Sequence, residues 1–237
     1  MRILIAAQPK TGNVWLRNIL SSLYDLEDLN ESLKDVPSDA PAFVDFVKKG
    51  LFKDDSIFHE HLFYKEALLQ AAQSTQCDLV TLLRNPYDTF VSFFFYVNNF
   101  SSRFLKTPPR VLIGKRIEHP DVIEFLQGPS YRRHLLISQS WLRSGKSHIV
   151  RYEDLLDNPL ETVQDLSDKI SPTSEKEVLA SVEKNTAERM RAKSKWMAKH
   201  IRSAQAGGWK KHLKPIHLEV FREYYGDIIK ELGYPVA

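Results

Sequence analysis

One cysteine, Cys77, stands in a chain of 237 residues, which excludes an internal disulfide and a cysteine-based zinc site. That count is compatible with a reducing cytoplasm. Glycine is scarce, at nine residues, and no G-x-G-x-x-G occurs, so the dinucleotide-binding fingerprint is missing. No run approaches the roughly 18 apolar residues that a membrane-spanning helix needs. The apolar opening, Met1–Ala7, is too short for a signal peptide and turns polar at once. Repeats and low-complexity segments are missing too. Net charge is only +3, which does not predict bulk nucleic-acid binding. Acidic residues, however, are missing in two places. Residues 189–214 hold nine Lys or Arg and no Asp or Glu, and residues 101–117 hold five basic residues and no acid. Such runs form solvated faces or mobile loops, or they meet a phosphate or a polyanion.

What is present suits a globular chain: the apolar fraction is 43%, and the length fits a single domain over residues 1–237. Four segments read as strands: Arg2–Ala7, Ser56–His61, Asp78–Arg84 and Ser147–Glu153. Helical patterns lie between and after them, at Val14–Tyr24, Pro41–Lys49, Tyr64–Gln73, Pro86–Val97, Asp121–Leu126, Tyr131–Arg143, Pro159–Ile170, Ser174–Glu183 and Leu218–Leu232. Residues 25–40 read as a loop with a short helix at most, residues 98–118 as a flexible loop, and the basic run 189–214 as a partly mobile loop. Strands alternating with helices predict an α/β fold with a central parallel sheet covered on both faces. Ligands of such sheets bind beyond the carboxyl ends of the strands. That edge gathers Gln8–Gly12, His59 and His61, the segment from Arg84, and the segment from Tyr152.

The first of these loops, Gln8-Pro9-Lys10-Thr11-Gly12, hands an apolar strand to a helix N-terminus. Unpaired backbone N–H groups and the helix dipole favour an anion there. Lys10 adds charge, Thr11 a hydroxyl, and Gly12 the freedom for a tight turn. The wording is not that of a nucleotide-triphosphate loop, because Gly12 follows the lysine and no glycine precedes it. A plain strand-to-helix turn with a surface lysine is the simpler reading of this loop alone. The second motif, "RNPYDTFVS" over Arg84–Ser92, offers a guanidinium at a strand end and a hydroxyl eight residues on, suited to a second phosphate. A salt bridge from Arg84 to Asp88 is the competing assignment.

Together these motifs resemble the PAPS-dependent sulfotransferases, where PAPS is 3′-phosphoadenosine 5′-phosphosulfate. The family loop P-K-S/T-G-x-x-W is matched by Pro9-Lys10-Thr11-Gly12-Asn13-Val14-Trp15. The family's R-N-P-x-D-x-x-V-S is matched from Arg84 to Ser92. Tyr152-Glu153-Asp154 with Pro159, Thr186 with Met190, the segment Arg202–Lys210, and Gly233-Tyr234 are also similar to family segments. The resemblance implies a P-loop-kinase-like sulfotransferase fold and PAPS as donor, with no metal. It implies Lys10, Thr11, Gly12, Asn13, Val14 and Trp15 at the 5′-phosphosulfate. Arg84, Ser92 and Arg202 would then hold the 3′-phosphate, with Tyr152 and Thr186 near the adenine. One departure stands out: the family has Lys-Gly after the late arginine, where this chain has Ser203 and Ala204, so affinity would lean on Lys199, Lys210 or Lys211.

Sulfuryl transfer to a hydroxyl needs a cation for the leaving phosphate, for which Lys10 is suited, and a base for the acceptor proton. By resemblance the base is His61. His59, which stands where many members carry a lysine, and Glu60 are the alternatives. Most of the aromatic run Phe90, Phe93, Phe94, Phe95 and Tyr96 reads as core, with one or two rings free to line an acceptor pocket. The acceptor is a small molecule, glycan or natural product; the basic loop at 98–118, with Arg110, Lys115 and Arg116, suggests an anionic one. No segment marks a dimer interface. A kinase or other NTPase, and a catalytically silent nucleotide-binding protein, are the competing readings.

Overall fold

Alternation along the first strand divides the molecule. In β1 (Arg2–Ala6), Ile3 and Ile5 pack on one side of the sheet and Leu4 and Ala6 on the other. A strand apolar on both faces has to be covered twice. The computed structural model, which describes residues 1–33, 35–99, 109–201 and 203–237, shows both covers. After β1 come α1 (Asn13–Tyr24), β2 (Glu27–Asp28), α2 (Leu29–Ser32), α3 (Ala40–Lys48), β3 (Ser56–Glu60), α4 (Glu66–Ser74), β4 (Cys77–Leu83) and α5 (Pro86–Asn99). Then follow α6 (Pro120–Gln127), α7 (Pro129–Ser144), β5 (His148–Arg151), α8 (Tyr152–Asp157), α9 (Pro159–Ile170), α10 (Glu175–Lys184), α11 (Ala187–Lys193), α12 (Lys195–His200) and α13 (Pro215–Glu231).

The five strands lie in the order β2-β3-β1-β4-β5, and every pair is parallel. Ile3, Ile5 and Ile57 pack with Leu16, Ile19 and Leu20 of α1 and with α9 and α10. Leu4, Ala6 and Phe58 pack on the opposite face with α3, α4 and the Trp141 end of α7. Trp141 is fully buried and donates its indole N–H to the Leu62 carbonyl at 2.7 Å, which satisfies its own polar atom. A third cluster joins α5, α6, α7 and α13. No helix among the described residues is long and apolar enough to cross a membrane.

Three expectations need correction. The segment 25–40 contributes a fifth strand, β2, whose two acidic residues carry no apolar alternation. The strand expected to run to Glu153 ends at Arg151, because Tyr152 opens α8. The basic run is not a loop throughout: it forms α11, α12 and a single 3₁₀ turn, Gly208–Lys211. Side chains begin both helices, Thr186 accepting from the Arg189 N–H and Ser194 from the Met197 N–H. Met190 and Met197 pin them to Val14. Helices this short show one apolar anchor each, too few for a period to be read.

Candidate active site

Because all strands run parallel, their carboxyl ends share one edge, and the loop after β1 rises from its middle. Gly12 caps α1 with φ 104°, and Lys10 also lies in the left-handed region at φ 70°. The first helical hydrogen bonds run from the Trp15 and Leu16 N–H groups to the Gly12 carbonyl. Among the described residues the N–H groups of Asn13 and Val14 have no backbone acceptor, the arrangement that draws an anion to a helix start. Thr11 is fully buried, its Oγ1 lying 3.0 Å from the Gln8 carbonyl and 2.8 Å from Asn13 Oδ1. Asn13 Nδ2 donates to the same Gln8 carbonyl at 3.1 Å. These two side chains lock the loop, which leaves the backbone and Lys10 to meet a ligand. A Cβ on Gly12 would lie 2.7 Å from the Tyr152 ring. Gly12→Ala should destabilise the fold by about 1–3 kcal/mol, the cost of left-handed strain at a crowded site. Denaturant unfolding checks this, and an unchanged midpoint would show that the loop relaxes freely.

Arg84 follows β4, only 8% exposed. Its guanidinium donates from Nη1 to the Lys10 carbonyl at 3.0 Å and from Nη2 to the Gln205 carbonyl at 3.0 Å. It also lies over the Tyr152 ring, 4.0 Å from the centroid. Arg84 and the Lys10 loop therefore stand on the same side of the sheet. Among the described residues the buried Arg84 Nε–H has no partner, so donor capacity remains for a ligand. The competing assignment, an ion pair to Asp88, is not formed. The Asp88 carboxylate instead accepts the Gly207 and Trp209 N–H groups at 2.7 and 2.9 Å, tying the C-terminal loop to α5. Asp88, Ser92 and Tyr96 are successive turns of one helix face. Its first member holds the C-terminal loop, and its last receives Lys10 Nζ 4.1 Å from the ring centre. Ser92 sits between them, half-buried.

The two histidines at the end of β3 differ sharply. His61 Nδ1 lies 2.8 Å from the Ala7 carbonyl. A carbonyl only accepts, so Nδ1 carries the proton and Nε2 keeps its lone pair. His59 Nδ1 instead receives a hydrogen bond from Arg17 at 2.6 Å. Burial first, then the facing Arg17 charge, hold the His59 pKa well below the ordinary imidazole value. Glu60 accepts the His61 backbone N–H at 2.7 Å. Two further imidazoles stand near. Burial lowers His134 to about 4 and His200 to about 3, with the Lys10 charge adding to the second. His200 stacks on Trp196 and meets the edge of Tyr96, so α12 roofs the Lys10 side of the site.

Residues 1–233 match the family model described as sulfotransferase domain. The chain belongs to that family. It is 28% identical over 204 residues to flavonol 3-sulfotransferase of Flaveria bidentis, covering 77% of this chain and 61% of that protein. To human sulfotransferase 1E1 it is 25% identical over 260 residues, covering 97% of this chain and 84% of the other. The fold is similar to that of mouse sulfotransferase SULT7A1, solved in complex with PAP, the desulfated donor. That match has a TM-score of 0.68 at 17% identity and covers 97% of this chain and 84% of the other. The chain thus spans about three fifths of the length of the flavonol enzyme.

Within this sulfotransferase domain the sequence-derived residues largely converge. Trp15 donates its indole N–H to the Asn185 carbonyl at 2.9 Å, beside Thr186, and meets the Tyr152 ring edge-on at 6.1 Å. Trp15, Tyr152 and Thr186 so form one corner. Arg202 lies outside the described residues, as do residues 100–108 of the expected acceptor loop. Ala204, where the family carries glycine, takes φ 49°, a region glycine enters with less strain. Lys199, Lys210 and Lys211 are exposed. Lys115 is paired with Asp121 and Arg116 with Glu118, which reduces the charge that loop offers an acceptor. Phe90 and Phe94 are core, whereas Phe93, Phe95 and Tyr96 are half-buried. Sequence reasoning missed Arg17 and His200, and took Tyr96 only as one ring of an aromatic run. Arg17 alone left a signal, as a cation on the inward face of an apolar helix.

Proposed function

We propose that this chain, acting as one domain in the cytoplasm, transfers the sulfuryl group of PAPS to a hydroxyl of a small-molecule acceptor. His61 is the general base. The tautomer of His61 carries this reading: with Nδ1–H held by the Ala7 carbonyl, Nε2 is free to take the acceptor proton. His59 is a poorer candidate, since the lone pair of its Nδ1 faces a guanidinium. The N–H groups at the start of α1 and the Lys10 ammonium receive the 5′-phosphosulfate, and the unused donors of Arg84 and Ser92 the 3′-phosphate. Trp15 and Tyr152, with Thr186, border the adenine. The residues present fit PAPS, because a buried guanidinium N–H without a partner points to a missing anion. The donor supplies an activated sulfuryl group. The protein aligns the acceptor, removes its proton to His61 and neutralises the leaving phosphate with Lys10, so positioning and electrostatics account for most of the rate.

Thermal unfolding with PAP, ATP plus Mg²⁺, or NAD tests the assignment. A ligand at 100 times its Kd adds about 2.7 kcal/mol. PAP alone should raise the Tm. Stabilisation by ATP plus Mg²⁺ and none by PAP would make the protein a nucleotide-triphosphate enzyme instead. A panel of phenols, glycans and natural-product hydroxyls with PAPS then identifies the acceptor.

A further inference from the structure

Glu153, the second residue of α8, is half-buried, and nothing in the proposed chemistry uses it. Its carboxylate lies against Asn85, the residue after Arg84. A negative charge beside a phosphate site repels the ligand, so its presence there calls for a use. Both of its oxygens are committed. The Asn85 N–H donates to Oε1 at 2.9 Å, and the Tyr234 hydroxyl donates to Oε2 at 2.8 Å. Burial first, then the Glu153 charge, push the Tyr234 phenol above the ordinary tyrosine value, so the hydroxyl keeps the proton it donates.

Tyr234 is aimed at Glu153 by the way the chain leaves α13. Gly233 takes φ 82°, and a Cβ there would lie 2.6 Å from Arg151 Nη2. The Gly233 and Tyr234 N–H groups donate to the Lys230 and Ile229 carbonyls at 2.9 and 3.0 Å, which closes the helix and fixes the direction of the exit. Arg151 holds the same corner: it donates to the Leu232 carbonyl at 3.0 Å, and its guanidinium lies 5.1 Å from the Tyr234 ring centre. Three residues on, the Ala237 N–H donates to the Tyr87 hydroxyl at 2.8 Å, and the Tyr87 ring stacks on Trp209 at 4.7 Å. Residues 233–237 thus meet the turn after β4 twice, at Asn85 through Glu153 and at Tyr87 directly. Asn85 Oδ1 joins the two points by accepting the Tyr87 N–H at 3.0 Å.

The first two residues of α8 therefore grip Arg84 in different ways. The Tyr152 ring faces its guanidinium, and the Glu153 carboxylate fixes the peptide that follows it. Both Nη groups of Arg84 are held on carbonyls, so the backbone at residues 84 and 85 sets where the remaining Nε–H points. We infer that Glu153 and Tyr234 are positioning residues for the 3′-phosphate: the Tyr234 hydroxyl holds the Glu153 carboxylate, which holds the Asn85 N–H and so aims the Arg84 Nε–H. This rests on the reading above that places the 3′-phosphate at Arg84. The role lies in binding the donor, and no proton or bond changes hands in it. The segment after α13, remote in sequence from the phosphate motifs, thereby sets how strongly the site distinguishes a 3′-phosphorylated nucleotide from one without that group.

Calorimetric affinities of the full chain for PAP and for adenosine 5′-monophosphate test this, in the wild type and in Glu153→Ala, Glu153→Gln and Tyr234→Phe. Charge and positioning predict opposite signs. Were Glu153 only a repelling charge, both of its variants would bind PAP more tightly. With Glu153 as a positioning residue, Glu153→Ala should bind PAP about 10-fold more weakly, the scale of one charge-assisted contact, with affinity for the monophosphate unchanged. Glu153→Gln should keep the PAP preference, because its amide oxygen accepts from Asn85 and its NH₂ donates to the Tyr234 oxygen. Tyr234→Phe keeps the ring beside Arg151 and drops only the hydroxyl. It should lose about 3-fold or more of the PAP affinity alone, and it carries the test if Glu153→Ala does not fold. Unchanged or tighter PAP binding in Glu153→Ala and Tyr234→Phe would overturn the inference. So would an equal loss for both nucleotides, which marks a merely structural role. Equal affinities for the two nucleotides in the wild type would instead remove the 3′-phosphate reading beneath it, and the inference with it.

Discussion

His61→Ala is expected to lower turnover about 10²- to 10⁴-fold, the usual contribution of a positioned general base, while PAP binding persists. The site gives this prediction a second, pH-resolved part. Three of its four imidazoles are held neutral: His59 by burial and Arg17, His134 at about 4, and His200 at about 3. Protonating a base removes its lone pair, so a base-catalysed rate falls on the acid side. All three lie on the acid side of ordinary imidazole, chiefly because of burial. An acid-side fall of kcat should be lost in His61→Ala, whose residual rate should be flat. If His61→Ala keeps the acid limb, Glu60 or another group is the base.

Lys10→Met should cost about 10²- to 10³-fold in kcat, the loss seen when one preorganised donor to developing charge is removed. The Lys10 backbone takes φ 70°, and its ammonium lies 4.1 Å from the Tyr96 ring centre, under the roof that His200 and α12 form. An ammonium fixed in a shielded position acts on a leaving phosphate more strongly than one in water. Losing the ring contact costs only about 0.5–1 kcal/mol, so the fold should survive and the effect should be kinetic. Rates of single turnover in stopped flow distinguish this from slow product release. A variant that keeps its single-turnover rate would take Lys10 out of the chemistry and leave it as a binding residue.

Four of the five strands were legible because they are short runs built around apolar residues, and parallel pairing brings all their ends to one edge. The loop at Lys10 and the segment at Arg84 could be read from residue types at fixed spacing. What was not legible depends on contacts across long sequence separations. No pattern announces that Arg17 reaches a histidine 42 residues on, or that Asp88 caps N–H groups about 120 residues away. Nor does Glu153, conspicuous only as part of a short motif, reveal that it accepts from the Asn85 N–H and the Tyr234 hydroxyl at once. β2 escaped notice because two acidic residues at a sheet edge have no period. The helices of the basic run escaped because capping hydroxyls and single methionine anchors, rather than an apolar stripe, make them.

Everything rests on two anion pockets on one side of the sheet, joined by one nucleotide. Calorimetric titration of PAP and of adenosine 5′-monophosphate, into the wild-type chain and into Arg84→Met, measures this directly. The two ligands differ only in the 3′-phosphate. A charge-assisted contact contributes about 1.5–3 kcal/mol, so the wild type should bind PAP on the order of 10- to 100-fold more tightly. That preference should shrink sharply in Arg84→Met, with affinity for the monophosphate little changed. Equal affinities for the two ligands in the wild-type chain would contradict the account.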